Sequence, residues 1–511
     1  MDQPNQSTFL LTKIIATLGP ASAPVENIKE LIVEGVRVFR VNFSHGSFES
    51  FSALIDHVRK ASIELDIPVA VLGDLSGPKI RVGQVVEGGV MLEPGMQVEF
   101  QKKELLTQAA DNGRVAFCTT LPLLIDEVHT GDRVLLDDGN VSLRCTGRST
   151  DSIHCEVLNG GLITSKKGIN LPDTALSVPA LTEWDMQCVE FAVKERVDYL
   201  ALSFVRSASD VRMLKNQLHD LGARPVENVK YREAGQADIP EDPLYIPVIS
   251  KIEKPQAMDD LENIIIESDG IMIARGDLGV EMDLAEVAVL QKRIISACHD
   301  HGTPVIVATQ MLQSMIESPT PTRAEVSDVA NAIFDGVDAV MLSGETAVGK
   351  YPAGTVRIMN RIARITNRYI RDQKITQPIP KAIRDSKYRS AALAHGVKSM
   401  VKDIDARFVV VWTKLGGGAL YLSQLDMPKP ILACSPHRST LNKLALLYGI
   451  HPVLMEQPEH SSDFIREADG IILRNGWARP GEPVVFVWGK PIISSGLTNS
   501  VYIHYLGEVQ I

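Results

Sequence analysis

The apolar residues of the first 78 positions fall into three short runs, TKIIATLGP (12–20), VRVFRVNFSHG (36–46) and PVAVLGDLSGP (68–78). Helix-like segments separate them, VENIKELIVEG (25–35) and FSALIDHVRKA (51–61). Strand–helix alternation of this kind predicts a parallel sheet. From about 79 to 177 the texture changes. GVMLEPGMQVEF, GDRVLLDDGNVSLRC and DSIHCEVLNGG read as strands joined by Gly-rich or acidic turns, with no convincing helix between them. A compact all-β insertion is expected there. The alternation resumes near 178, with apolar runs at DYLALSF (198–204), YIPVISKIE (245–253), GIMIARGD (270–277), TPVIVATQ (303–310) and DAVMLSGE (338–345).

Three strands before the insertion and five after it make eight, the pattern of a closed (β/α)8 TIM barrel. An open doubly wound sheet alternates too. The count of eight, and the polar residues crowding nearly every strand end, favour the barrel. Around 365–385 the chain turns polar and basic, with Pro378 and Pro380, as a helix followed by a linker would. A new alternation follows, FVVVW (408–412), PILACS (430–435) and PVVFVWG (483–489), with helical RSAALAHGVKSM and STLNKLALLYG. The expected limits are 1–78 and 178–365 for the barrel, 79–177 for the β-rich insertion and 385–511 for a C-terminal α/β domain. The charged, Pro-punctuated segment 224–244 reads as a surface loop.

Composition narrows the function classes. The 511 residues are 45% apolar and 23% charged, as in an ordinary globular protein. The net charge of −11 argues against a general nucleic-acid binder, although a local basic pocket is compatible with it. Cysteines 118, 145, 155, 188, 298 and 434 form no CxxC pair and read as reduced, mostly buried thiols of an intracellular protein. No apolar stretch approaches the roughly 20 residues of a membrane span, and a cytoplasmic protein is expected.

In a barrel the chemistry sits at the carboxyl ends of the strands. Strand two delivers Arg40, Asn42 and Ser44, strand three Asp74, and strand five Lys251 and Glu253. Strand six ends in Arg275-Gly276-Asp277, strand seven in Thr309-Gln310 and strand eight in Ser343-Gly344-Glu345. Glu253 and Asp277 are hard oxygen ligands on adjacent strands, few enough to leave room for water and substrate, which suits Mg2+ and also admits Mn2+. Arg40 and Lys251 add two cations. Two cations and a divalent metal are what a transferring phosphoryl group requires. Thr309 offers a hydroxyl for proton relay. Each residue has a plainer reading. Lys-x-Glu can be a solvated pair, Asp277 a helix cap and Arg40 a structural bridge. Their arrival at one mouth favours a site.

These residues sit in motifs that resemble the pyruvate kinase family. They are TKIIATLGPAS (12–22), RVNFSHG (40–46), SKKGINLP (165–172), SKIEKP (250–255), IMIARGDLGVE (271–281), ATQMLQSMIESPTPTRAEVSDVANAIFDG (308–336) and VMLSGETAVGKYP (340–352). The resemblance runs from Thr12 to about Ile503. It implies phosphoryl transfer from phosphoenolpyruvate to ADP, giving pyruvate and ATP, by a cytoplasmic homotetramer with a β-rich lid over the barrel. By motif position, Lys251 would contact the transferring group, Arg40 would grip the phosphate, and Glu253 and Asp277 would hold Mg2+. Gly276 and Asp277 would offer backbone N–H groups to the substrate carboxylate. Thr309 would line the face where the enol is protonated. Asn42, His45, Arg81 and Lys167 would meet the nucleotide.

Two departures matter. Potassium-dependent members read Asp-Thr-Lys-Gly-Pro-Glu at strand three, whereas this chain reads Asp74-Leu75-Ser76-Gly77-Pro78-Lys79. In the monovalent-cation pocket of Asn42, Ser44, Asp74 and Leu75, the Lys79 ammonium would supply the charge that K+ supplies elsewhere. The chain resembles the potassium-independent branch. In the C-terminal domain, Thr413-Lys414-Leu415-Gly416-Gly417-Gly418 lacks two hydroxyl positions of the loop that cradles a sugar bisphosphate in many members. An altered effector is expected. Two other readings compete with an active kinase: a weakened regulatory paralogue that binds phosphoenolpyruvate, and an enolate-forming TIM-barrel aldolase. The intact set Arg40, Lys251, Glu253, Asp277 and Thr309 argues against the first. The lid, Arg81 and the C-terminal domain argue against the second.

Overall fold

In the computed structural model, which describes residues 9–44, 46–108, 115–174, 176–223, 244–385, 389–492 and 498–508, eight parallel strands close into a barrel. They are Lys13–Thr17, Val36–Asn42, Ala70–Asp74, Tyr199–Leu202, Val248–Ile252, Gly270–Ala274, Val305–Ala308 and Ala339–Leu342. Each pairs with its sequence neighbours, and the first pairs with the last to close the ring. The expected barrel, β-rich insertion and C-terminal α/β domain are all present.

Side chains alternate across each strand, so every second residue points into the barrel. Val38, Leu72, Ala201 and Ile249 belong to its buried interior. Two residues further along the same strands lie Arg40, Asp74, Ser203 and Lys251. The polar set is therefore the next interior layer towards the carboxyl ends. At the opposite end Leu446 of the C-terminal domain completes the interior cluster, and Tyr199 Oη donates to the Lys443 carbonyl at 2.6 Å.

The insertion forms a six-stranded and a two-stranded sheet over a separate core, with Phe100 and Phe117 stacked at 5.6 Å. Among its described residues it departs from an all-β texture at one helical turn, Leu124–Glu127. The C-terminal sheet runs in the order Ile450–Leu454, Ile431–Ser435, Val409–Trp412, Pro483–Trp488, Ser500–Tyr505, with only the last pair antiparallel. All six cysteines are buried and unpaired. No helix among the described residues is long and apolar enough to cross a membrane. Of the segment 224–244, residues 224–243 lie outside the described residues.

One carboxylate fastens the insertion to the barrel. Asp185, fully buried in the first turn of the helix Glu183–Lys194, accepts from Ser76 N–H at 2.8 Å and Gly77 N–H at 3.3 Å on the chain entering the insertion. Its other oxygen accepts from Thr182 N–H at 3.0 Å and Thr182 Oγ1 at 2.6 Å, just past the exit. Arg206 clamps the exit segment further, donating to the carbonyls of Leu176 and Val178 at 2.5 and 2.6 Å. Asp185→Ala orphans these donors and is expected to cost about 3 kcal/mol of stability. A denaturant midpoint equal to that of the parent chain would show that the four bonds are dispensable.

Candidate active site

The barrel register sets the geometry. Arg40 lies opposite Thr17 on one side and Leu72 on the other, and Asn42 lies opposite Asp74. Arg40 reaches down the same mouth. Its Nε and Nη2 lie 2.7 and 2.6 Å from Asp74 Oδ2, and Nη1 donates to Thr17 Oγ1 at 3.1 Å. Lys251 Nζ approaches from strand five, 3.4 Å from Asp74 Oδ1 and 2.9 Å from Glu253 Oε1, and donates to Ser203 Oγ at 2.9 Å. Asp74 thus gathers both cations into one cluster.

The charges set one another's protonation. Burial raises the Asp74 pKa, but Lys251, Arg40 and Lys79 outweigh it and hold the carboxyl below its usual range. Burial disfavours the Lys251 ammonium, but Asp74 and Glu253 outweigh it, and its pKa rises above the ordinary lysine value. Burial drives the Glu253 carboxyl up, Lys251 opposes, Asp277 adds its own repulsion, and the net shift is upward.

The metal reading fits the donor set. Glu253 is 1% exposed, and its Oε2 accepts from Phe204 N–H at 2.7 Å. Asp277, half-buried against a cavity, makes no side-chain hydrogen bond or ion pair among the described residues. Two mutually repelling carboxylates, one of them unpartnered, suit a divalent cation. No group of three or more His, Cys, Asp or Glu placed to hold a metal gathers among the described residues, here or elsewhere, so this pair would leave the remaining metal positions to substrate and water.

Thr309 is held in the left-handed region at φ 71°, rare for a β-branched residue, and Gln310 follows at φ 55°. The twist aims Thr309 Oγ1 at the backbone N–H of Gly276, which donates to it at 2.6 Å. That N–H, expected to face a substrate carboxylate, is engaged by Thr309 here. A Cβ at Gly276 would meet Thr309 at 3.4 Å, an ordinary contact, so the approach rests on the Thr309 backbone conformation and not on the glycine. Arg275 secures the turn by pairing with Asp328 at 2.6 Å and donating to the Thr309 carbonyl at 3.1 Å. Glu345 is a brace and not a site group. It is fully buried and accepts from Leu312 N–H at 3.1 Å and Ser343 N–H at 2.7 Å.

A cavity of about 530 Å3 separates the insertion from the barrel mouth, lined by Lys79, Arg81, Lys167, Arg206, Lys254 and Asp277 among others. Arg81 Nη1 donates to the Lys166 carbonyl at 2.9 Å, and Lys167 pairs with Asp137 at 2.5 Å. Asn170 of the insertion reaches Glu281 of the barrel at 2.9 Å, and Lys254 holds the same carboxylate at 2.5 Å. His45 lies outside the described residues.

Lys79 is exposed as a residue, yet burial near its ammonium lowers its pKa. Lys251 lowers it further, against Asp74, Asp277 and Glu253. Those four charges belong to the site, and the Lys79 ammonium lies within their electrostatic reach. Several oxygens of the monovalent-cation pocket already have partners. Asn42 Oδ1 accepts from Ser44 N–H at 3.1 Å, the Leu75 carbonyl from Ser203 Oγ at 2.7 Å, and Asp74 Oδ2 from Arg40. Asp74 Oδ1 is buried without a hydrogen bond.

Sequence reasoning did not single out Ser203, Asp185, Arg206 or Lys254. Ser203 had a usable signal: it stands next to last in DYLALSF, the strand-four run from which no polar group was drawn. Asp185 and Arg206 sit on helical stretches or loops whose partners are distant in sequence.

Comparison with known proteins adds a separate line. Residues 10–356 match the family model "Pyruvate kinase, barrel domain", and residues 391–504 match "Pyruvate kinase, alpha/beta domain". The chain is 39% identical over 497 residues to a pyruvate kinase of Corynebacterium efficiens, covering 97% of this chain and 98% of that one. It is 37% identical over 496 residues to a pyruvate kinase of Mycobacterium tuberculosis, with the same coverage. It is 38% identical over 502 residues to pyruvate kinase 2 of Synechocystis, covering 98% of this chain and 80% of that one.

Proposed function

The chain belongs to the pyruvate kinase family, and from that premise we propose how its own residues perform the phosphoryl transfer from phosphoenolpyruvate to ADP that yields pyruvate and ATP. The observation that carries the reading is that one buried carboxylate, Asp74, holds Arg40 at 2.6 Å and Lys251 at 3.4 Å, while Lys251 also touches Glu253 at 2.9 Å. The cations are positioned before substrate arrives, so little reorganisation is needed as charge builds on the migrating group.

Arg40 grips the phosphate with a guanidinium already oriented by Asp74 and Thr17. Lys251, kept protonated by its acidic neighbours, stabilises the transferring phosphoryl group. Glu253 and Asp277 would hold Mg2+ (or Mn2+ in its place), which when bound supplies Lewis-acid charge at the phosphoryl oxygens. Gly276 and Asp277 orient the substrate carboxylate at the strand-six turn. Thr309, locked by its backbone conformation, relays a proton to the enolate carbon. Asn42, His45, Arg81 and Lys167 receive the nucleotide between barrel and lid, where closure excludes water. Lys79 stands in for the K+ that the family generally uses. The catalytic domain spans 1–78 and 178–365, the lid 79–177 and the regulatory domain 385–511. The resemblance also supports a cytoplasmic homotetramer.

The test is Arg40→Leu in a coupled pyruvate assay. kcat/KM for phosphoenolpyruvate is expected to fall by about 10²-fold, the loss of one charge-assisted phosphate contact in a desolvated site. A value within about twofold of the parent would remove Arg40 from the substrate site.

A further inference from the structure

We propose that this protein carries a second anion site, remote from the barrel mouth, at the seam between the barrel's amino-terminal end and the C-terminal domain. Its ligand is a small phosphorylated molecule with two or more negative charges.

The seam holds a cavity of about 250 Å3 lined by five cations, Arg364, Arg368, Arg371, Arg407 and Lys429, and by no acidic residue. In a chain of net charge −11, that local sign reversal is a strong departure. Arg364, Arg368 and Arg371 stand at i, i+4 and i+7 on the helix Pro352–Asp372, which follows the last barrel strand, and so share one face. Arg407 and Lys429 precede two C-terminal-domain strands, Val409–Trp412 and Ile431–Ser435.

The cations are poorly compensated. Arg364 and Arg368 make no side-chain hydrogen bond or ion pair among the described residues, and Arg364 Nε is buried without a partner. Among the described residues Arg407 donates only to the Trp477 carbonyl, at 3.3 Å from both Nε and Nη2. Arg371 and Lys429 meet the exposed carboxylates Asp372 at 3.3 Å and Asp405 at 2.8 Å. Arg37, whose pKa is lowered to about 10 by burial and then by Arg364, adds a further cation within electrostatic reach of that helix face. Burial and then Arg368 lower Arg364 in turn. Lys13 is 3% exposed; among the described residues it donates to the Leu10 and Ile450 carbonyls at 2.7 and 2.6 Å, and Asp338 partly offsets its burial.

Guanidinium groups converging without carboxylates match the oxygens of a phosphoryl group, which accepts several charge-assisted bonds at once. Phe9, Leu11, Pro428 and Pro430 provide an apolar wall for the rest of the molecule. A ligand seated there touches both domains and is expected to raise the melting temperature of the pair.

The probe is inorganic pyrophosphate without divalent metal, titrated calorimetrically into the full chain and three variants. Arg364→Gln/Arg368→Gln is expected to weaken binding by about tenfold or more, and the exposed single change Arg368→Gln by a smaller factor. Arg40→Leu should leave this binding intact, and Arg368→Gln should leave basal turnover intact. Unchanged affinity in Arg368→Gln and the double variant, loss of binding in Arg40→Leu, or no saturable binding by the parent chain would each overturn the proposal. Because Arg40 belongs to the active site, the variants separate failure of this site from failure of the catalytic reading.

Discussion

Replacing Lys251 by Met is expected to lower kcat by about 10³-fold or more while leaving a folded protein. Lys251 is the most enclosed cation of the mouth, with Asp74, Glu253 and Ser203 arranged around its Nζ. Methionine preserves much of the stem's volume and removes only the charge. Asp74 keeps the Arg40 guanidinium and Glu253 keeps the Phe204 N–H, so the backbone of the mouth retains its anchors. Glu253, already pushed upward by burial, loses its main opposing cation and rises further. The variant should therefore also melt earlier, because a buried carboxylate has lost its partner. Turnover within about tenfold of the parent, in a protein with an unchanged circular dichroism spectrum, would take Lys251 out of the transition state.

The second large effect concerns Lys79. Turnover of the parent chain in sodium is expected to equal turnover in potassium. Lys79→Glu should lose at least about tenfold in sodium and recover a large part of it when potassium is added. The scale follows from Coulomb's law. A unit charge about 4 Å from another contributes roughly 1 kcal/mol in water and about 4 kcal/mol at an effective dielectric of 20. Tenfold in rate is about 1.4 kcal/mol, within that range. The Lys79 ammonium feels Asp74, Asp277 and Glu253 together, as a bound monovalent cation in their midst would. Activation of the parent by potassium of tenfold or more would mean that the tethered charge does not replace the ion.

Much of the fold was legible because it rests on periodicity. Eight apolar runs and their intervening helical stretches predicted the closed barrel, and the loss of helical spacing after Pro78 marked the insertion. Much of the candidate site was legible for the same reason. Arg40, Asp74 and Lys251 continue the interior parity of Val38, Leu72 and Ile249, so a period of two already places them inward. Partner choice was less accessible. Nothing local to Asp185 says that its carboxylate will bind Ser76 and Gly77, more than a hundred positions earlier. Nothing in ATQMLQ says that Thr309 and Gln310 will both adopt positive φ, and the Arg275 contact to the Thr309 carbonyl comes from 34 positions earlier. The spacing of two between Arg40, Asn42 and Ser44 would put all three on one face of an extended chain. The strand ends at Asn42, and Ser44 instead donates its N–H to the Asn42 side chain.

The account rests on a single charge cluster acting on a migrating phosphoryl group, and one measurement reaches it most directly. Purified protein is mixed with phosphoenolpyruvate, ADP and Mg2+ in potassium-free buffer, and ATP and pyruvate are each quantified over time. Equal amounts of the two products are expected from the parent chain, and neither above background from Lys251→Met. Pyruvate released without matching ATP, or full activity in the Lys251 variant, would contradict it.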